Sequence, residues 1–177
     1  MSAKKLLPLP SRVAQADLFE DLELIEDFKT TGSKVQIQKI SFPYAICLNQ
    51  ECDLQNDFIN TANSDAKLIH LAFAPVFNFE QFLQGKHWGG LFRDNPAQKR
   101  DSTTIKKIID NEIPRYHYLI FNDDKMPELI IDFKHFFSIN KDSVYEQLPK
   151  RLCSLSDLYR ESISQRFSNY LSRIGLP

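Results

Sequence analysis

The sequence predicts an α+β fold: one curled, mostly antiparallel sheet, or partly open barrel, flanked by N- and C-terminal helices. Three observations carry this. Apolar and polar residues alternate over 34–42, and short apolar runs at 44–48, 67–73 and 116–121 have the length of buried strands. Over 14–28 and 163–174 the apolar residues instead recur at steps of three and four, the stripe of an amphipathic helix. The segments do not alternate regularly enough for βαβ units and a parallel sheet.

Taken in order, Pro8 and Pro10 keep the first ten residues extended. Ala14, Leu18, Leu22, Ile25 and Phe28 predict a helix over 12–29, with Ser11 as N-cap and Gly32 beyond its end. A strand is expected over 34–48. Within it Val35 and Ile37 hold one phase of the alternation and Ile40 and Phe42 the other, a slip that predicts a β-bulge near Lys39. A strand at 67–74 and a helical turn at 79–83 follow. Ile105, Ile108 and Ile109 have helical spacing after an Asp101 or Ser102 cap, and Pro114 stops that helix. Strands at 115–121 and 127–139 read as an antiparallel pair, with Leu129, Ile131 and Phe133 on one face. The last helix is expected over 155–173, with Ser154 and Asp157 as a capping box and Ile163, Phe167 and Leu171 facing the core.

The 177 residues suit a single domain spanning 1–177, with a core that needs neither disulfide nor metal. Hydrophobic residues make up 42% and charged residues 25% of the chain, and the net charge is -1, so no global field points to nucleic acid or membrane. The charge is segregated, however. Residues 17–27 carry Asp17, Glu20, Asp21, Glu23, Glu26 and Asp27 and no base, whereas 86–107 is rich in Lys and Arg. The 3 cysteines lack framework spacing and read as reduced thiols, and no apolar leader or spanning stretch is present, so a cytoplasmic location is expected. The 5 glycines cannot form GxGxxG or a P-loop, and HExxH, CxxC and GxSxG are absent. No cofactor or metal is implied.

Three groups of residues could carry chemistry. Gln50-Glu51-Cys52-Asp53 follows a buried strand, where Cys52 could serve as nucleophile with Asp53 as its acid/base neighbour. Equally, Cys52 could be a small core residue and Asp53 a turn cap. Arg115 and His117 share a strand face, and Asp132 lies on the expected partner strand. Together they could bind an anion or move protons, or simply form a structural ion pair. Lys86, Trp88, Arg93, Lys99 and Arg100 combine bases with an aromatic ring, the makings of a single-stranded nucleic-acid site, or of a solvated face around a core Trp. His70 and His135 alternate with apolar neighbours and lack ligand spacing.

The segment Ile46-Cys47-Leu48-Asn49-Gln50-Glu51-Cys52-Asp53-Leu54 resembles the V-L-S-Q-x-C-D-L segment of a group of uncharacterised bacterial proteins. Asn49 departs from their usual Ser. Arg115 to Leu119, Ile131 to Phe133 and Arg173 to Pro177 resemble those proteins' R-x-x-Y-L, V-D-F and R-x-G-L-P motifs, so the resemblance spans 46–177. The strand opening into Q-x-C-D also looks like the first half of the PemK/MazF-type toxins, which implies an SH3-like curled barrel and, by analogy, ribonuclease chemistry. The Arg and Thr/Ser of such toxins have no matching positions here, and fold analogy does not carry function. The expected function is thus an interaction or nucleic-acid-associated module whose partner is RNA or another protein. The alternative is an enzyme, either an RNA-cleaving toxin relative or a Cys52-dependent catalyst.

Overall fold

A long β-hairpin sits at the centre of the sheet and reaches beyond it. The computed structural model describes residues 5–6, 9–32, 34–60, 62–89, 100–122 and 126–173. The elements are β1 (Lys5–Leu6), β2 (Asp17–Thr31), β3 (Lys34–Cys47), α1 (Glu51–Ile59), β4 (His70–Asn78), α2 (Phe79–Leu83), α3 (Ser102–Ile109), β5 (Tyr116–Leu119), β6 (Leu129–Asp132), β7 (Phe137–Asn140), α4 (Lys141–Glu146), β8 (Arg151–Leu155) and α5 (Asp157–Leu171). The strands form one sheet in the order β1-β8-β2-β3-β4-β6-β5, with β7 also paired to β4. Every pairing is antiparallel. The sheet stays open rather than closing into a barrel, and helices cover its faces, which is the α+β class expected.

Alternation across the pleat sends side chains to two faces. Leu18, Ile46, Val76, Ile131 and Phe133 pack on one side with Ile163 of α5. Phe19, Ala45, Cys47 and Phe73 pack on the other with Leu54 of α1 and Val144 of α4. A third cluster joins Phe77, Ile130 and Tyr116 to Phe82 of α2, Ile108 of α3 and Trp88.

The helix expected over 12–29 is instead β2. Two irregularities in that strand mimic helical spacing. Asp21 adopts φ 47, in the left-handed region, and lies between the pairs Glu20↔Tyr44 and Leu22↔Phe42. A register shift between Ile25 and Asp27 then inserts a residue. Each break alters the parity of the strand, so steps of four and three arise without a helical turn. The bulge expected near Lys39 lies across from it, in β2, because Ile25 pairs Lys39 and Asp27 pairs Gln38. The expected strands at 34–48, 67–74, 115–121 and 127–139 correspond to β3, β4, β5 and β6 with β7. The last helix begins at Asp157 rather than at a Ser154 cap, and Ser154 belongs to β8. Leu171, expected in the core, is 54% exposed.

The base of the hairpin is fixed by one buried charge. Asp17 has no exposed surface and accepts hydrogen bonds from the Ala14 amide at 2.8 Å, from Arg151 Nη1 at 2.8 Å and from the Ser154 hydroxyl. Burial raises the pKa of this carboxyl, and the three hydrogen bonds act in the opposite direction. Arg151 also donates to the carbonyls of Arg12 and Pro10, so one side chain ties β8 to the segment entering β2.

Removing one member of a buried pair leaves the other charge uncompensated, typically at a cost of about 3–5 kcal/mol. Arg151→Ala and Asp17→Ala are each expected to lower unfolding free energy by about that amount in urea titrations. The double substitution should cost less than the sum of the two. Additive losses would mean the residues are not coupled.

Candidate functional site

The cysteine motif sits where β3 hands over to α1. Leu48 donates its amide to the Ala72 carbonyl at 2.8 Å, and Asn49 Oδ1 accepts from the Ala72 amide at 2.7 Å, so the strand end is held in place. Gln50 is the extended N-cap of α1. Glu51 bonds with Arg12, lies 3.5 Å from Arg160 of α5, and accepts from the Gln15 amide at 2.9 Å. Its carboxylate is therefore committed to joining the N-terminal segment, α1 and α5. Cys52 is exposed, with Sγ 3.6 Å from Gln50 Oε1 and 3.7 Å from Asp53 Oδ1. Together with Gln15, Gln50, Arg160 and Ser164 it borders a shallow cleft of about 360 Å³. No imidazole lines this cleft among the described residues, and the proton acceptor nearest the thiol is the Asp53 carboxylate.

Arg115 and Asp132 meet, but with each other. The guanidinium grips the carboxylate through Nε at 2.7 Å and Nη2 at 2.5 Å, and Asp132 has no exposure to water. His117 is buried, and its Nδ1 has no hydrogen-bond partner. Burial, reinforced by the Arg166 cation, pushes the His117 pKa down to about 3. Arg166 itself donates to the carbonyls of Ile113 at 3.0 Å and Tyr116 at 2.7 Å. None of Arg115, His117 and Asp132 borders the cleft beside Cys52.

The basic, aromatic segment is placed in part. Arg93 and Lys99 lie outside the described residues. Lys86 is exposed. Trp88 is only 6% exposed, with its ring edge-on to Phe77 at 4.6 Å and His135 at 4.5 Å. Arg100 lies 3.6 Å over the Phe82 ring and donates to the Phe82 carbonyl at 2.8 Å. Both therefore build the third core cluster, and Trp88 offers no open face for stacking a base. His87, beside them, is held at a pKa of about 4 by burial and then by Arg100. Among the described residues no group of metal-ligating side chains occurs, and no helix is long and apolar enough to cross a membrane.

No protein-family model matches this chain, and no curated protein matches it.

A surface that the sequence reading missed stands out in the hairpin. Past Leu24 and Ile40, which still pack against the core, β2 and β3 run on as a two-stranded arm. Cross-strand partners share a face. Ile25↔Lys39, Phe28↔Ile37 and Thr30↔Val35 therefore project to one side. On that side Ile25, Phe28, Val35 and Ile37 are 56%, 68%, 61% and 51% exposed. The opposite side carries Asp27, Lys29, Gln36 and Gln38. The signal was present in the sequence as the phase change inside β3. Val35 and Ile37 face outward while Ile40 and Phe42 face the core, so the change reports two apolar faces on one strand.

Two measurements check this picture. Cys47 and Cys153 are buried, and burial raises the Cys47 thiol pKa. Alkylation of the native protein should therefore modify Cys52 alone until unfolding. Equal rates at Cys47 and Cys52 would contradict the packing of β3.

The second measurement concerns His87 and His117. A buried imidazole that stays neutral when folded but takes a proton when unfolded favours the unfolded chain in acid. The stability held by these two is whole above pH 6.5 and falls as pH drops toward the folded values of about 4 and about 3. The loss is about 1.4 kcal/mol per pH unit for each. His117→Leu should flatten the fall measured by urea titration between neutral pH and pH about 5. Identical slopes in parent and variant would contradict the burial of a neutral His117.

Proposed function

We propose that this chain is a protein-binding module and that the outward face of the β2–β3 arm is its docking element. One observation carries the reading: four large apolar side chains on one face of the arm are each more than half exposed. Isolated exposed apolar residues are ordinary on a protein surface, but a contiguous patch with a polar rim marks an interaction site. Here Glu23 and Lys39 form the rim at the base of the arm, and Lys29 and Lys34 lie toward its tip.

The geometry of the arm reinforces this. A two-stranded hairpin alone is marginal in water, and β2 beyond Phe19 has no second strand neighbour among the described residues. The edge of β2 is closed near its base by Gln147, which accepts from the Glu23 amide at 2.8 Å and donates to its carbonyl at 3.1 Å. Farther out nothing among the described residues covers either the ladder or the apolar face. A partner with an apolar surface would gain by covering it.

The rival readings have less support. Nucleic-acid binding through Trp88 and Arg100 would need side chains that the core already uses. Catalysis by Cys52 would rest on a carboxylate as base, Asp53 at 3.7 Å from an exposed thiol, with no imidazole in the cleft among the described residues.

The test places a photo-activated cross-linking residue at Phe28, and at Gln165 on α5 as a control, in protein mixed with cell extract. Expected are protease-sensitive, nuclease-resistant adducts from position 28 only. Excess parent protein should compete them away, and a Phe28→Ser/Ile37→Ser variant should not. Adducts equal at both positions, or sensitive to nuclease, would overturn the reading.

A further inference from the structure

We infer that the chain carries a second interaction surface, a basic and aromatic patch built by α5 and the turn between β6 and β7, and that this patch takes single-stranded nucleic acid. The inference goes beyond the reading of the arm and does not depend on it.

The patch begins with a ring left in water. Phe136, in the turn after β6, is 47% exposed, and its ring stands edge-on to Phe167 of α5 at 5.4 Å. Phe133 lies beneath, 5.6 Å from Phe167 and 6.4 Å from Tyr170, and ties these rings to the core. The rings are thus held in place by packing while much of Phe136 stays open. A base-stacking platform needs this arrangement, and Trp88, sunk in the third cluster, lacks it.

Cations surround the rings. Arg166, Tyr170 and Arg173 recur at steps of four and three, so they follow one stripe along α5 and its end. Arg173 lies 5.9 Å from the centre of the Tyr170 ring. Lys134 is exposed two residues before Phe136. None of Lys134, Arg166 and Arg173 makes an ion pair among the described residues. Arg166 spends its donors on the carbonyls of Asn111, Ile113 and Tyr116. No acidic residue occurs from Phe133 to Lys141 or from Ser162 to Pro177. Asp132, the residue before Phe133, is buried and gripped by Arg115. Like charges gathered without counter-ions repel one another and draw in an anion.

A simple anion would answer the cations but not the open ring between them. A strand with unpaired bases answers both, because a base stacks on Phe136 while phosphates meet Lys134 and Arg173. A duplex hides its base faces within its own stack, and a run of carboxylates has no flat face to set on the ring.

Fluorescence anisotropy tests this on the full chain, with a labelled oligouridylate of about 12 nucleotides as the probe. The parent should bind in the micromolar range at low salt, weaken as salt rises, and prefer the single strand to a duplex of the same length. Lys134→Ala/Arg173→Ala should weaken binding and lower the slope of log affinity against log salt by about 0.7 for each cation removed. Phe136→Ala should weaken binding about tenfold and leave that slope unchanged. Phe136→Trp should keep the affinity and show quenched emission on binding, a signal the parent lacks because its one Trp is buried. No binding by the parent at low salt, a duplex held as tightly as the single strand, or affinity indifferent to both Phe136 and the cations would overturn the inference. Displacement by polyglutamate as effective as by unlabelled strand would overturn it as well. Cross-linking from position 28 reports on the arm alone, so failure of either surface is distinguishable from failure of the other.

Discussion

The Asp17 carboxylate, buried where β2 begins, is the constraint on which the rest of the architecture depends. A charge removed from water is tolerated only if it is paired and fully hydrogen-bonded. Meeting that condition recruits Arg151 and Ser154 from β8 and the Ala14 amide from the incoming chain. Arg151 in turn holds the carbonyls of Pro10 and Arg12, and Arg12 reaches Glu51 at the start of α1. Glu51 is shared with Arg160 of α5. The N-terminal segment, two strands and two helices thus meet through a chain of ion pairs, and the β2–β8 register shifts between Leu18 and Phe19 where they do.

This knot fixes one end of the hairpin, and the other end is left to local chemistry. From Asp21 outward, β2 is steadied by side chains rather than by a third strand. Lys150 donates to the Asp21 carbonyl at 2.8 Å and Gln147 closes the ladder at Glu23. Gly32, at φ +63, supplies the left-handed residue of the turn at the tip. Lysines along β3 and at the tip discourage indiscriminate edge pairing, a common defence of open strands. The combination of an anchored base, a bare apolar face and charged edges favours a limited, face-directed contact over open-ended sheet growth.

The parts of the fold that were legible in the sequence are those where one period ran unbroken. β3, β4 and α5 announced themselves because alternation or a helical stripe continued over enough residues. β2 was hidden by the left-handed Asp21 and the bulge after Ile25, which convert a strand's alternation into a helix-like spacing. β8 was hidden because Ser154 and Asp157 imitate a capping box, although the Ser154 hydroxyl is spent on Asp17. α1 was not legible, since Leu54 and Asp57 are its only buried residues and no apolar stripe marks it. The position of Cys52 beyond a strand end was legible. Its neighbours from α5 were not, because they come from the far end of the chain. Trp88 and Arg100 show that residue types alone do not distinguish a stacking surface from a core built of the same groups.

The central claim is that residues 17–31 form a strand paired with β3 and so present an apolar face. Nuclear Overhauser contacts in dilute protein test it most directly. The account predicts cross-strand contacts for Ile25 with Lys39, Phe28 with Ile37 and Thr30 with Val35. Sequential helical contacts across 18–28, three and four residues apart, with those cross-strand contacts missing, would contradict it.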